Sequence, residues 1–288
     1  MPELPEVETV RVQLLGTVVG KTIMGVEVFH AKTVAHDKTI GKRLVGAQID
    51  DIARVGKLMI FSFRREPDLF LLAHLKMTGQ FFYADKKGRL AGGGHSVSAA
   101  DVRELPGRHT RVAFHFAGGS TLYFNDMRTF GFTKLTDKAG AERAVQAFGP
   151  EPIDKNFDVD WFVREARKKK RSIKALLLDQ SFVSGLGNIY VDETLWRAML
   201  RPTRKTNTLS KTEAKAIAKE AGKVMREAIK HGGTTFQHFE DAEGKKGNFS
   251  RRLKVFGKQG QPCPRCGSLI KKIREAGRGT HFCPGCQK

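Results

Sequence analysis

The sequence predicts an α+β chain, with strands in its first half, helices in its second and a small metal-binding module at its end. Three observations carry this. Short β-branched and aromatic segments recur before residue 148, long charged amphipathic patterns follow it, and all four cysteines lie in the last 26 residues.

The chain opens MPELPEVETV. From Pro5 onward this is a good helix start. Proline is tolerated at a first helical position, Glu6 and Glu8 suit the positive end of the helix dipole, and Val7, Val10 and Leu14 recur at helical spacing until Gly16. Pro2 and Glu3 are left without a structural reason. IMGVEVF, KLMIFSF, DLFLLAHL and RVAFHF then read as strands, and RVAFHFAGGSTLYFND as a hairpin turning at Gly118–Gly119. Gly88 to Arg108 is Gly-rich and irregular, the pattern of a long loop. Pro150 and Pro152 within FGPEPIDKNFD (148–158) mark a domain boundary. DVDWFVREARKKKRSIKALLLDQ and LSKTEAKAIAKEAGKVMREAIKH are helical patterns, with Asp158 and Ser210 as N-caps and Gly232 as a stop. A polar, Gly-rich segment runs from there to Gly260, and no internal repeat is visible.

Bulk composition narrows the function. Fifty-one Lys and Arg face thirty Asp and Glu, a net charge of +21. Such a surface favours a polyanionic partner, most often nucleic acid, over a merely solvated basic face. Forty per cent hydrophobic residues over 288 supports two ordinary cores. No apolar run is long enough to span a bilayer, and the acidic N-terminus lacks the pattern of a secretory signal. A soluble, intracellular protein is expected.

The cysteines form CPRC (263–266) and CPGC (283–286), separated by 16 residues. This spacing matches a four-thiolate tetrahedral zinc site on Cys263, Cys266, Cys283 and Cys286. Disulfides are the alternative, disfavoured in an intracellular chain with no other cysteine. SLIKKI and GTHFC can pair as a hairpin between the two knuckles. With sulfur in every position no place is open for a catalytic water, so the metal's role is structural.

Other stretches hold chemistry more loosely. SGLGNIYVDETLW (184–196) fits an ordinary helix–helix turn, but Gly185 and Gly187 also allow backbone N–H groups to approach a phosphate, with Asn188 as a further donor. The basic run RKKKR (167–171) and Lys174, both just upstream of it, favour phosphate contact. HLKMTGQF (74–81) and FNDMRTFGF (124–132) contain Met77, Arg128 and Phe130; such residues are commonly core, yet in Gly-flanked loops they suit insertion into a base stack. NFSRRLKVFGKQG (248–260) combines basic and aromatic side chains, as a phosphate contact or a solvated linker would.

Taken together, PELPEVE, HLKMTG, NDMRTFG, GLGNIYVDE and the terminal four-cysteine module resemble the formamidopyrimidine-DNA glycosylases and their endonuclease VIII relatives, over essentially the whole chain. The resemblance implies an N-terminal catalytic β-sandwich with flanking helices (1–148), a helical domain with a helix–two-turn–helix element (149–232), a lesion-capping loop and linker (233–260) and a zinc-finger β-hairpin (261–288), with DNA in a basic cleft between the domains. It implies excision of oxidised purines from duplex DNA, then cleavage at the abasic site. Pro2, exposed as an N-terminal amine once Met1 is removed, is the implied nucleophile, with Glu3 as acid–base partner and Glu6 in support. Lys57 and Arg278 join them in the catalytic set. The implied DNA contacts are Lys57, Asn188 and Arg278 at the backbone, Lys174 near the lesion, His74, and Met77, Arg128 and Phe130 in the vacated stack, with Arg128 facing the estranged cytosine. One structural zinc, damaged duplex DNA as partner, a monomeric state and a cytoplasmic, nucleoid-associated location complete the expectation.

Two features depart from the family's pattern: the stretch from Gly88 to Arg108 is longer than usual, and Asn248 stands where an aromatic is expected in the capping loop. The competing readings are an endonuclease VIII-like preference for oxidised pyrimidines and a non-catalytic zinc-ribbon DNA-binding protein.

Overall fold

The computed structural model describes residues 2–86, 90–93, 105–234 and 249–288. They belong to two compact units, Met1–Gln146 with the segment that begins at His231, and Ala147–Lys230 with Phe249–Lys288.

The first unit opens with helix α1, Leu4–Val18. It starts one residue before Pro5 and runs through Gly16 rather than ending there. Val18 is fully buried, and the roughly 1.5–3 kcal/mol from burying such a side chain outweighs the cost of about 1 kcal/mol for glycine within a helix. Strands β1 (Ile23–Val28), β2 (Gln48–Val55), β3 (Leu58–Arg64), β4 (Glu66–His74), β5 (Gly79–Ala84), β6 (Leu90–Gly93), β7 (Thr110–Phe116), β8 (Thr121–Asp126) and β9 (Phe132–Thr136) follow, with short helices α2 (Ile40–Leu44) and α3 (Lys138–Gln146). They make two antiparallel sheets, ordered β1-β7-β8-β5-β6 and β2-β3-β4-β9. Inward-facing residues of both sheets share one core with Val7, Val10 and Leu14 of α1. Phe61 of β3 meets Phe81 of β5 at a ring separation of 5.9 Å, so the sheets pack face to face as a sandwich.

The hairpin β7–β8 turns where the glycines predict. Gly118 and Gly119 have φ of +86° and +78°; Gly119 N donates to Phe116 O at 3.1 Å and Phe116 N to Ser120 O at 2.8 Å, so residues 117–119 form a three-residue loop whose two left-handed positions suit glycine. The expected loop from Gly88 is only partly a loop, because Leu90–Gly93 pairs along β5. Edge pairing needs only backbone N–H and C=O groups, so it need leave no side-chain pattern to read. Residues 94–104 of that stretch lie outside the described residues, as do 235–248, which include Asn248.

The second unit holds α4 (Val159–Arg167), α5 (Ile173–Leu177), α6 (Asn188–Arg197), α7 (Lys211–Lys230) and the hairpin β10 (Lys271–Glu275)–β11 (Arg278–Phe282). Asp158 caps α4, its carboxylate accepting from Trp161 N at 2.8 Å. Ser210 and Glu213 form a reciprocal capping box at α7. The long pattern from 158 to 180 divides into two helices. A run of like charges disfavours a continuous helix, and Ser172 restarts it by accepting from Ala175 N at 3.3 Å. Among the described residues no helix is long and apolar enough to cross a membrane.

Candidate active site and metal centre

Pro2 and Glu3 lie at the mouth of α1 and are both buried. Glu3 is the N-cap residue, and its backbone N–H donates to Glu6 Oε2 at 2.9 Å. The other Glu6 oxygen accepts from Thr234 N at 2.8 Å and Thr234 Oγ1 at 3.0 Å. A side chain on Gly233, where φ is +77°, would come within 2.6 Å of that oxygen. Glu6, itself fully buried, thus latches the start of the chain to the segment after His231. Sequence alone suggests only a supporting role for Glu6, because its partner is more than two hundred residues away.

Lys57 is buried in the turn between β2 and β3. That turn is tied back to α1: Arg54 donates to Gly56 O at 2.9 Å and to Glu8 Oε2 at 2.8 Å, while Arg11 holds the other Glu8 oxygen at 2.6 Å. Although burial opposes it, the Arg11 and Arg54 guanidiniums hold the Glu8 carboxyl below its ordinary value. His74 ends β4. Burial, then the charges of Lys76 and Lys57, push it down to about 3. Its Nδ1 accepts from Lys76 N at 2.9 Å, so the neutral ring carries its proton on Nε2 and can donate from there.

Met77, Arg128 and Phe130 come together on two adjacent loops. Buried Asp126 accepts from Arg128 N at 3.1 Å, Gly131 N at 2.7 Å and the Thr78 hydroxyl. Upon this fixed backbone Arg128 Nη1 lies 3.2 Å from Met77 Sδ, and the guanidinium stacks 4.8 Å from the Phe130 ring centroid. Phe130 is 48 % exposed, a half-wet aromatic in a rigid frame.

In the second unit, Asn188 is the first residue of α6 and donates to Gly279 O at 2.9 Å. Arg278, immediately before that glycine, is exposed. Lys174 is buried. Its side chain has no exposed surface, and Nζ sits 2.6 Å from Asp192 Oδ1 and 3.4 Å from Gly279 O. The ammonium thus joins α6 to the finger hairpin. Asp192 and Glu193, which pattern reading passes over, are buried acids on α6. Glu193 accepts the backbone N–H groups of Lys254, Val255 and Phe256 at 2.9–3.0 Å; burial outweighs those donors and raises its carboxyl above the ordinary value. Two adjacent acids in a helix with an apolar stripe were the available signal.

The four cysteine sulfurs lie within 4.8 Å of one another, with Cys263–Cys286 at 3.7 Å and Cys266–Cys283 at 3.4 Å. Tetrahedral zinc with Zn–S near 2.3 Å requires sulfurs about 3.8 Å apart, so the set fits the ion. Crowding shows in the thiols: burial, then Cys283 and Cys263, push Cys286 up to about 12. The Trp196 indole N–H points at Cys263 Sγ from 3.4 Å, and the Arg265 guanidinium covers the Trp196 ring at 4.1 Å. The module therefore docks on α6. It holds one structural zinc.

One chain thus carries a sandwich that opens on buried Pro2 and Glu3, a capped helical unit and a four-cysteine finger. Residues 1–133 match the formamidopyrimidine-DNA glycosylase N-terminal domain, 148–240 the formamidopyrimidine-DNA glycosylase H2TH domain, and 260–288 the zinc finger found in FPG and IleRS. The chain is 40 % identical to the formamidopyrimidine-DNA glycosylase of Streptococcus pneumoniae R6, covering all of this chain and 99 % of that one, and 40 % identical to that of Listeria monocytogenes, covering both completely. The structure resembles Lactococcus lactis Fpg in complex with abasic-site DNA (TM-score 0.87, 35 % identity, 99 % of each chain). It also resembles the same protein with Fapy-dG-containing DNA (TM-score 0.85, 35 % identity, 99 % of this chain and all of that one). The chain belongs to the formamidopyrimidine-DNA glycosylase family. It is a base-excision-repair DNA glycosylase with abasic-site lyase activity, and it binds DNA.

Proposed function

We propose that this chain excises oxidised purines, 8-oxoguanine and formamidopyrimidines, from damaged duplex DNA as a cytoplasmic monomer, and nicks the product site by β,δ-elimination through Pro2. With Met1 removed, the Pro2 nitrogen is a secondary amine. It attacks C1′ of the flipped nucleotide, and the damaged base departs with the glycosidic electron pair. Glu3 delivers a proton to the ring oxygen as the sugar opens, leaving an iminium between Pro2 and C1′. This cation acidifies the C2′ proton, whose removal expels the 3′ phosphate. A second elimination expels the 5′ phosphate. A generic α-amine titrates near 8 and a lysine near 10.4, so a terminal amine is more available at pH 7 by about 3.5 kcal/mol. Splitting the reaction in this way is the gain of covalent catalysis.

The observation that carries this reading is the buried Glu3 beside Pro2, its backbone fixed by the Glu6 latch. From the sandwich, Lys57 and the neutral His74 donate to backbone phosphates. Asn188 and Arg278 do so from the helical unit, where the Asn188 amide keeps a second hydrogen after serving Gly279. Lys174 supports Arg278 rather than touching DNA. Met77, Arg128 and Phe130 fill the space left by base flipping. Residues 149–232 supply the helix–two-turn–helix grip, and the finger at 261–288 presents Arg278. Fapy-dG DNA bound by the Lactococcus lactis relative supports the purine preference. The test is excision from matched duplexes carrying 8-oxoguanine, formamidopyrimidine or thymine glycol. Faster release of both purine lesions is expected; faster release of thymine glycol would move the chain to the pyrimidine-preferring branch.

A further inference from the structure

We propose that Asp192 is a positioning residue for Arg278, acting through a buried charged node that fixes the finger strand; this rests on the phosphate-gripping role proposed above for Arg278. Asp192 has no exposed surface, yet neither carboxylate oxygen is idle. Oδ1 takes the Lys174 ammonium at 2.6 Å, and Oδ2 accepts the backbone N–H of His281 at 2.8 Å. Lys174, also fully buried, extends to the Gly279 carbonyl at 3.4 Å, where Asn188 donates at 2.9 Å.

The node therefore holds β11 at two alternate residues, Gly279 and His281. Thr280 between them is fully buried. Across the hairpin, Ser172 donates to Glu275 at 2.6 Å, and Glu275 is the cross-strand partner of Arg278. Both the residue after Arg278 and the residue opposite it are thus anchored to the helical unit, while Arg278 itself is exposed. Zinc holds the finger together at its knuckles. The Asp192 node sets where the strand between them stands relative to Asn188, the other phosphate donor of this unit. A lone buried ammonium or carboxylate is costly, so neither partner tolerates loss of the other.

A double-mutant cycle between Asp192→Asn and Arg278→Ala separates positioning from plain stability, read by single-turnover excision of an 8-oxoguanine duplex at saturating enzyme, with zinc content measured for each protein. Asp192→Asn is expected to keep one zinc per chain and slow excision on the order of 10- to 100-fold, the scale of a small misplacement. In the Arg278→Ala background it should add nothing. Additive losses, or full speed in zinc-loaded Asp192→Asn, overturn the proposal. If Asp192→Asn loses zinc, the Lys174→Met/Asp192→Asn pair, which leaves no lone buried charge, enters the same cycle with the same criteria. An Arg278→Ala enzyme at full speed would defeat the underlying reading of Arg278; slow Arg278→Ala with additive Asp192→Asn defeats only the positioning role.

Discussion

The two units build their functional groups by different means. In the sandwich unit, Pro2 and Glu3 are neighbours in sequence, placed by the first turn of one helix and latched through Glu6 to Thr234. In the helical unit, Asn188 and Arg278 lie far apart in sequence, held by buried acids and a metal module. The first site needs a helix start and one long-range latch. The second exists only when distant segments are pinned together, so disturbance should spread further there.

The largest expected effect follows. Cys266→Ser removes one of four ligands from a site worth on the order of 10 kcal/mol to its module. Zinc should be lost, DNA affinity should fall, and excision at saturating enzyme should slow at least as far as in Asp192→Asn because Arg278 is misplaced, with Pro2 still the nucleophile. Metal analysis with a binding titration checks this, and unchanged affinity in a verified zinc-free protein would erase the contrast between the units.

Glu6→Gln tests the latch of the first unit. It replaces a buried carboxylate that accepts three hydrogen bonds, interactions worth about 1.5–3 kcal/mol each when charged. Stability and excision should both fall, with zinc retained. Gly233→Ala should do the same by crowding the same oxygen. A wild-type melting curve and rate for both would show that the latch is idle.

Arg128→Ala acts on selectivity. A well-made contact to a base edge discriminates by about 1–3 kcal/mol, roughly 5- to 150-fold. Excision opposite cytosine should exceed that opposite adenine, and the variant should shrink the ratio. Lys57→Ala should instead weaken all duplexes alike and flatten the salt dependence. A full cytosine preference in Arg128→Ala would make it a phosphate clamp.

The last effect is confined to acid pH. His74 is depressed to about 3 from an unfolded value near 6.5. Its contribution to stability is therefore complete above 6.5 and is lost as pH falls from there toward 3, since the unfolded chain takes up the proton first. His74→Gln should flatten melting temperature against pH across that window. An unchanged slope would mean that His74 titrates normally.

Legibility in sequence follows the same division. α1, the strands of both sheets and the zinc ligands can be read because local periodicity and fixed spacing specify them. The Met77–Arg128–Phe130 cluster rests on family resemblance, since nothing local shows that two loops meet. The burial of Lys174 is not legible because it follows a basic run, while its partner Asp192 lies eighteen residues on. β6 escapes notice because its pairing resides in the backbone. Glu6, Asp192 and Glu193 act on partners so distant that only the folded chain reveals them.

The central claim is that the terminal nitrogen of Pro2 is the nucleophile. The most direct measurement is borohydride reduction of the enzyme reacting with an 8-oxoguanine duplex, followed by mass mapping of the trapped peptide. One adduct on the N-terminal peptide, at Pro2 with Met1 absent, is predicted, with trapping much reduced in Pro2→Gly. An adduct mapping to Lys57 or another lysine, or undiminished trapping in Pro2→Gly, would contradict it.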